Sequence, residues 1–176
     1  IARIVVDGWT LDFARQVGGN LKDDLFRRDF RINAIALRLG SEPQLFDPTG
    51  GIDDINVKKI VAISEKNLIE DPLRIIRGFR LMCELNFELE KETKRLLKTN
   101  VSKLINVSPE RIKTEILKIV NVEWNDSYWK TYLELQLFKN WNEDNIITMV
   151  LNQKQSFSKE LKDGFPLARL ICLISD

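Results

Sequence analysis

EDPLRIIRGFRL, residues 70–81, sets Arg74, Arg77 and Arg80 at three-residue intervals behind the acids Glu70 and Asp71. The segment reads as a helix that begins here. Asp71 has the short acceptor side chain of an N-cap, and Pro72 has the fixed φ suited to the first helical position. Leu73, Ile76, Phe79 and Cys83 then form an apolar stripe for a core. At about 100° per residue a three-residue step drifts by about 60°. Asp71, Arg74, Arg77 and Arg80 therefore follow a slow spiral along one side, facing a cleft. Two readings stay open. In one, Asp71 caps its own helix and the arginines pair with Glu70 and Glu84 over the surface. In the other, an acceptor-only carboxylate beside a donor-only guanidinium reads a base. Cytosine and adenine each present an amino donor next to a ring-nitrogen acceptor and fit this pair, whereas uracil and guanine oppose it. The remaining arginines would then hold a triphosphate bidentately.

The 176 residues are 44% hydrophobic and 30% charged, a globular balance with room for one large domain or two small ones. No apolar run reaches the length needed to span a bilayer. The opening IARIVVDG lacks the basic start and apolar core of a signal peptide. Cys83 and Cys172 lie far apart without metal-ligand spacing and read as reduced core thiols of a cytoplasmic protein. The chain contains no histidine, which excludes Ser-His-Asp and Cys-His hydrolases and histidine-based metallohydrolases. Acid–base or metal chemistry must rest on carboxylates. Net charge is only +1, yet residues 71–120 hold eleven basic and seven acidic side chains. The positive excess sits in the segment that opens with the quoted stretch, as on a phosphate-facing surface or a solvated helix face.

Outward from the helix, residues 1–63 look mixed. IARIVV and WTLDFAR around Asp7-Gly8 read as a hairpin. VGGNLKDD is a loop. LFRRDFRINAIALRL starts helical, and its later half is either helix or strand. LFDPTGGIDDI carries turn signals with a short helical turn after them, and KKIVAIS is a short strand. From about residue 64 the pattern is helical: 71 onward, roughly 90–99, from Ser108-Pro109-Glu110, and then YWKTYLELQLF, EDNIITMVLN and FSKELKDGFPLARLICLI. Soft boundaries fall near 64 and 121. Trp124, Trp129, Trp141, Tyr128 and Tyr132 suit core packing better than stacking on RNA.

RRDFRINAIA, residues 27–36, resembles a signature of the class II nucleotidyltransferase family, which contains the tRNA CCA-adding enzymes and bacterial poly(A) polymerases. FDPTGGIDDI, residues 46–55, looks like that family's next motif, with Asp47, Gly50 and Asp53 in the matching places. EDPLRIIRGFR resembles the templating motif, and SPERIKTEILKI, residues 108–119, the motif that follows it. The four occur in order with family-like gaps over about residues 24–120. The resemblance implies an α+β chain: the C-terminal part of a nucleotidyltransferase head over 1–63, with mixed or antiparallel sheet and helices. An all-α neck over 64–120 and part of a helical body over 121–176 follow. It implies template-independent addition of CMP and AMP to a tRNA or other RNA 3′ end, from CTP and ATP with Mg²⁺.

Residue by residue, the resemblance implies sugar and phosphate contacts for Arg27, Arg28, Asp29 and Asn33. The alternative for Asp29 and Asn33 is a local loop hydrogen bond. Asp71 and Arg74 match the base-reading pair, and Arg77 and Arg80 match basic positions near the triphosphate. Asp47 and Gly50-Gly51 suit a structural turn, and Asp53-Asp54 a helix cap rather than metal ligands. Ser108 caps a helix, with Glu110 and Arg111 bracing the neck against the head. The chain departs from the family in two places. Arg31 stands where threonine is usual. The glycine-serine segment and Asp-x-Asp strand, whose carboxylates hold two Mg²⁺ ions, would lie upstream of Ile1. Asp12 is either a third carboxylate beside them or a surface residue, and Arg15 points to phosphate or to solvent. The expectation is a piece of a longer enzyme that does not turn over alone. The rivals are a poly(A) polymerase, a CC-only or A-only adding enzyme, and a non-catalytic RNA-binding or interaction module. No membrane partner is expected.

Overall fold

The computed structural model of the protein describes residues 2–122 and 124–138. Asp7 and Gly8 both take positive φ, 48° and 82°, the pair that a two-residue hairpin of matching twist requires. They join β1 (Ala2–Val6) to β2 (Trp9–Phe13), antiparallel with Val6 opposite Trp9. Asn20 accepts from the Asp23 N–H and opens α1 (Leu21–Phe26). A 3₁₀ turn, Arg31–Asn33, follows, and then β3 (Ala36–Arg38) pairs antiparallel with β4 (Gln44–Phe46). The ambiguous AIALRL segment is thus partly strand. Gly50, at φ 79°, turns the chain into α2 (Gly51–Asn56), and β5 (Lys59–Ile60) follows. Large apolar side chains of the hairpins, among them Val5, Trp9 and Leu45, are exposed.

The helical part holds α3 (Glu65–Glu70), α4 (Leu73–Leu85), α5 (Lys91–Asn100), α6 (Pro109–Val120) and α7 (Asp126–Leu135). The start of α4 differs from expectation. Asp71 does not cap it: its backbone is extended (φ −137°, ψ 92°) at the end of α3, and Pro72 occupies the N-cap. The physical reason is charge: the carboxylate turns to the Arg111 guanidinium at 2.9 Å rather than back to the first turn. Ser108 likewise sits at the N-cap of α6 without a side-chain cap bond, although Pro109 opens the helix as expected. Within the helical part, β6 (Glu88–Leu89) runs parallel to β5, Ile60 opposite Leu89. Two residues are too few for a periodic signal.

The core joins both parts. Phe30, Ile60, Leu68, Ile75, Ile76, Phe79, Leu97, Leu104 and Ile112 are fully buried in one cluster. The stripe Leu73, Ile76, Phe79 and Cys83 is buried as expected, and Ile75, Leu81 and Met82 join it. The arginines of α4 stay half-buried at the edge of this core, and Glu84 and Leu85 at its C-terminal end are exposed. The aromatic residues pack in this core: Trp124 lies edge-on to Phe79 at 5.3 Å, and its indole N–H donates to the Ile119 carbonyl at 3.0 Å. Cys83 is a free, buried thiol, its pKa pushed up to about 12 by burial. Cys172, Trp141 and the two C-terminal helical segments lie outside the described residues. Among the described residues no helix is long and apolar enough to cross a membrane.

Candidate functional site

The RRDF segment is pinned before it can present anything. Arg31 N–H donates to the Val61 carbonyl and Ile63 N–H to the Asp29 carbonyl. Phe30 is fully buried beneath Gly78 of α4, where an added Cβ would lie 2.7 Å from the Phe30 ring. The FDPTGG turn holds the other flank. The Asp47 carboxylate accepts from the N–H groups of Gly51 (2.9 Å) and Ile52 (2.8 Å) and caps α2 from outside it. Burial raises the Asp47 pKa, but the backbone N–H donors of Ile52, Gly51, Thr49 and Gly50 together outweigh it and hold the carboxyl below the usual Asp range. Gly51 is required because a Cβ there would collide with the Arg31 carbonyl. This is the structural role expected of Asp47 and Gly50. The cap expected of Asp53-Asp54 is corrected: both lie inside the first turn of α2. Asp54 is buried with Oδ2 lacking a partner, and burial pushes its carboxyl up.

Against this frame an open cleft of about 420 Å³ is lined by Arg28, Asp29, Asn33, Asp71, Arg74, Arg77, Arg80 and Leu81. Seven residues singled out from two distant stretches of sequence meet there. Four guanidinium groups face two carboxylates, a positive excess suited to an anion. Asp29 is 4% exposed, and its oxygens are used within the protein. Oδ1 accepts from Phe30 N–H (2.9 Å) and Asn33 Nδ2 (3.0 Å), while Oδ2 takes Arg77 Nε and Nη2, each at 2.7 Å. Asp29 is thus a brace that aims Arg77, and its loop hydrogen bonds are those the alternative reading anticipated. Arg80 is mostly buried, 3.0 Å from the buried carboxylate of Glu115 in ionic contact without hydrogen-bond alignment, and 3.7 Å from Glu84.

The base-reading candidates stand at the junction of α3 and α4. Asp71 points its carboxylate at Arg111, whose Nη2 lies 3.1 Å from Oδ1 and 2.9 Å from Oδ2. Arg111 therefore braces Asp71 within the helical part, not the neck against the head. One nitrogen bridging both oxygens leaves acceptor sites on a carboxylate. Arg74 donates Nη1 to the Asn67 carbonyl at 2.9 Å, leaving further guanidinium donors toward the cleft.

Arg27 stands outside the cleft. It closes α1, its backbone N–H bonded to the Asp24 and Leu25 carbonyls, and its side chain is exposed. Asp12 lies on the exposed hairpin in a two-point ion pair with Arg3 (2.6 and 2.8 Å). Among the described residues no group of three or more Asp, Glu, Cys or His is placed to hold a metal ion. These carboxylates do not fit a two-metal centre. Two contributors escaped the sequence reading. Glu115 carries helical spacing on α6, a signal shared by any solvated residue. Asn67 carries no signal beyond its place three residues after Ser64, whose hydroxyl accepts from its N–H.

Two family models match in order: the poly(A) polymerase head domain over residues 7–61, and the "probable RNA and SrmB-binding site of polymerase A" over 86–143. The chain is 30% identical over 193 aligned residues to the CC-adding tRNA nucleotidyltransferase of Synechocystis sp., covering 99% of this chain and 46% of that one. It is 42% identical over 101 residues to the CCA-adding enzyme of Lactobacillus delbrueckii subsp. bulgaricus, covering 57% and 25%. A solved CCA-adding enzyme with ATP superposes with a TM-score of 0.69 at 26% identity, over 82% of this chain and 35% of that one. The chain spans less than half the length of these relatives. The ordered motifs and the likeness across nearly all its length agree: the chain belongs to the class II nucleotidyltransferase family.

Proposed function

We propose that this chain serves the template-independent addition of CMP and AMP to the 3′ end of tRNA from CTP and ATP, in the cytoplasm. In this reading residues 1–63 are part of the head, 64–120 the neck and 121–176 part of the body. Asp71 accepts from the amino group of the incoming base and Arg74 donates to its ring nitrogen. Arg28 and Asn33 meet sugar and phosphate, Asp29 aims Arg77, and Arg77 with Arg80 meets the triphosphate. The observation that carries the reading is the meeting of seven such residues in one cationic cleft. Nucleotidyltransferases of this family generally use a divalent metal, and we propose Mg²⁺. The described carboxylates do not fit such a centre. Asp12, the one described carboxylate offered for it, would first have to leave Arg3.

The test is competition binding of CTP, ATP, UTP and GTP to this chain, followed by incorporation into tRNA lacking its 3′ end, with Mg²⁺, by the full-length parent enzyme. Preference for CTP and ATP is expected. Indifference among the four would refute base reading by Asp71 and Arg74. A second reading, addition of CC alone, is favoured by the likeness to the CC-adding Synechocystis enzyme. Incorporation of CMP without AMP would select it.

A further inference from the structure

Asn67 lies outside the cleft, yet it touches both halves of it. It is 5% exposed, in α3. Its side-chain amide has two N–H donors, and both are used, at 2.7 Å, on the carbonyls of Phe26 and Arg28. Those carbonyls belong to the end of α1 and the start of the RRDF loop, where a helix leaves acceptors without intrahelical partners. The backbone carbonyl of the same residue accepts from Arg74 Nη1 at 2.9 Å and from Asp71 N–H at 3.4 Å. Its own N–H is held by Ser64 Oγ at 3.2 Å. Both side-chain N–H donors, the backbone N–H and the backbone carbonyl of Asn67 are therefore committed. The side chain grips the loop that carries Arg28, Asp29 and Asn33, and the backbone grips the pair at positions 71 and 74. A rigid amide links the two at fixed length.

We infer that Asn67 is a positioning residue for nucleotide selection: it sets the distance between the pair that reads the base and the loop that receives sugar and phosphate. The inference rests on the base-reading function proposed above. A nucleotide reports a base match only if its sugar is held while its base is tested. Loosening that register lets a mismatched base shift to find other partners, and small displacements of positioning groups carry large penalties in selectivity. The other strut between loop and helix, Asp29 with Arg77, lies inside the cleft, so changing it would confound register with direct contact. Asn67 separates the two.

Asn67→Asp keeps the shape but turns two donors into acceptors facing carbonyl oxygens, while Asn67→Ser keeps one donor. The measurement is the ratio of dissociation constants for UTP and CTP, with far-UV circular dichroism to verify folding. About a tenfold loss of CTP preference is expected for Asn67→Asp and a smaller loss for Asn67→Ser. In an Arg74→Ala background, Asn67→Asp should cause no further loss. A purely structural residue would lower stability without moving this ratio. If Asp71→Ala and Arg74→Ala abolish the preference while both Asn67 variants keep it, this inference is overturned and the base-reading function stands. If the wild type shows no preference, the base-reading function fails and takes the inference with it. Should Asn67→Asp not fold, Asn67→Ser decides by the same ratio, and failure of both to fold would mark Asn67 as structural only and overturn the inference.

Discussion

Asp71 makes no side-chain bond to the first turn of α4. Its carboxylate is not spent there and turns to Arg111 instead. Partly exposed ion pairs contribute about 0–1 kcal/mol to stability. Asp71→Ala should therefore leave the melting temperature nearly unchanged while relaxing nucleotide choice. A lost bidentate base contact corresponds to roughly 1–3 kcal/mol of discrimination, to be read from CTP against UTP incorporation. Equal loss with all four nucleotides would count against base reading. Gly78 is the opposite kind of residue, silent in chemistry but fixed by contact. A methyl group there would meet Phe30 at 2.7 Å and Leu97 at 3.0 Å. Gly78→Ala should destabilise by about 1–3 kcal/mol through overpacking, measured by urea unfolding.

At the scale of elements, α2 is held by one acid and burdened by another. The folded-state pKa of Asp47 is depressed, so its stabilisation is complete above the ordinary Asp range and is lost as pH falls through the folded value. Asp47→Ala should cost about 1 kcal/mol at neutral pH, and the gap to wild type should close in acid. Asp54 has the reverse sign. Burial raises its folded pKa, so its contribution is present when protonated and lost as pH rises through that value. Asp54→Asn should therefore flatten the decline in stability above the ordinary Asp range, followed by denaturant midpoints across pH. The helix α4 shows the same division of labour on one element: apolar residues pack around most of it, and its arginines are individually anchored to Asn67, Asp29 and Glu115.

At the scale of the molecule, one core carries both the RRDF loop and the helices, which is why the cleft between them has a defined shape. Phe79, fully buried, lies against Trp124 at 5.3 Å and Tyr132 at 6.1 Å. Phe79→Ala should cost about 3–5 kcal/mol, and guanidinium unfolding should show an earlier midpoint with loss of nucleotide binding at temperatures where the wild type is intact. By itself the sequence determined the hairpin at Asp7-Gly8, the apolar stripe of α4, the α6 start at Pro109 and the run of Arg74, Arg77 and Arg80 along one side of α4. Each of these is written in neighbours a few positions apart, where turn chemistry and helical period act. Only the tertiary structure decided that Asp29 braces Arg77, that Arg111 rather than a helix end receives Asp71, and that Asn67 ties loop to reader. Those contacts join residues 39 to 48 positions apart, and such pairings follow from how a shared core brings elements together, which no local pattern encodes.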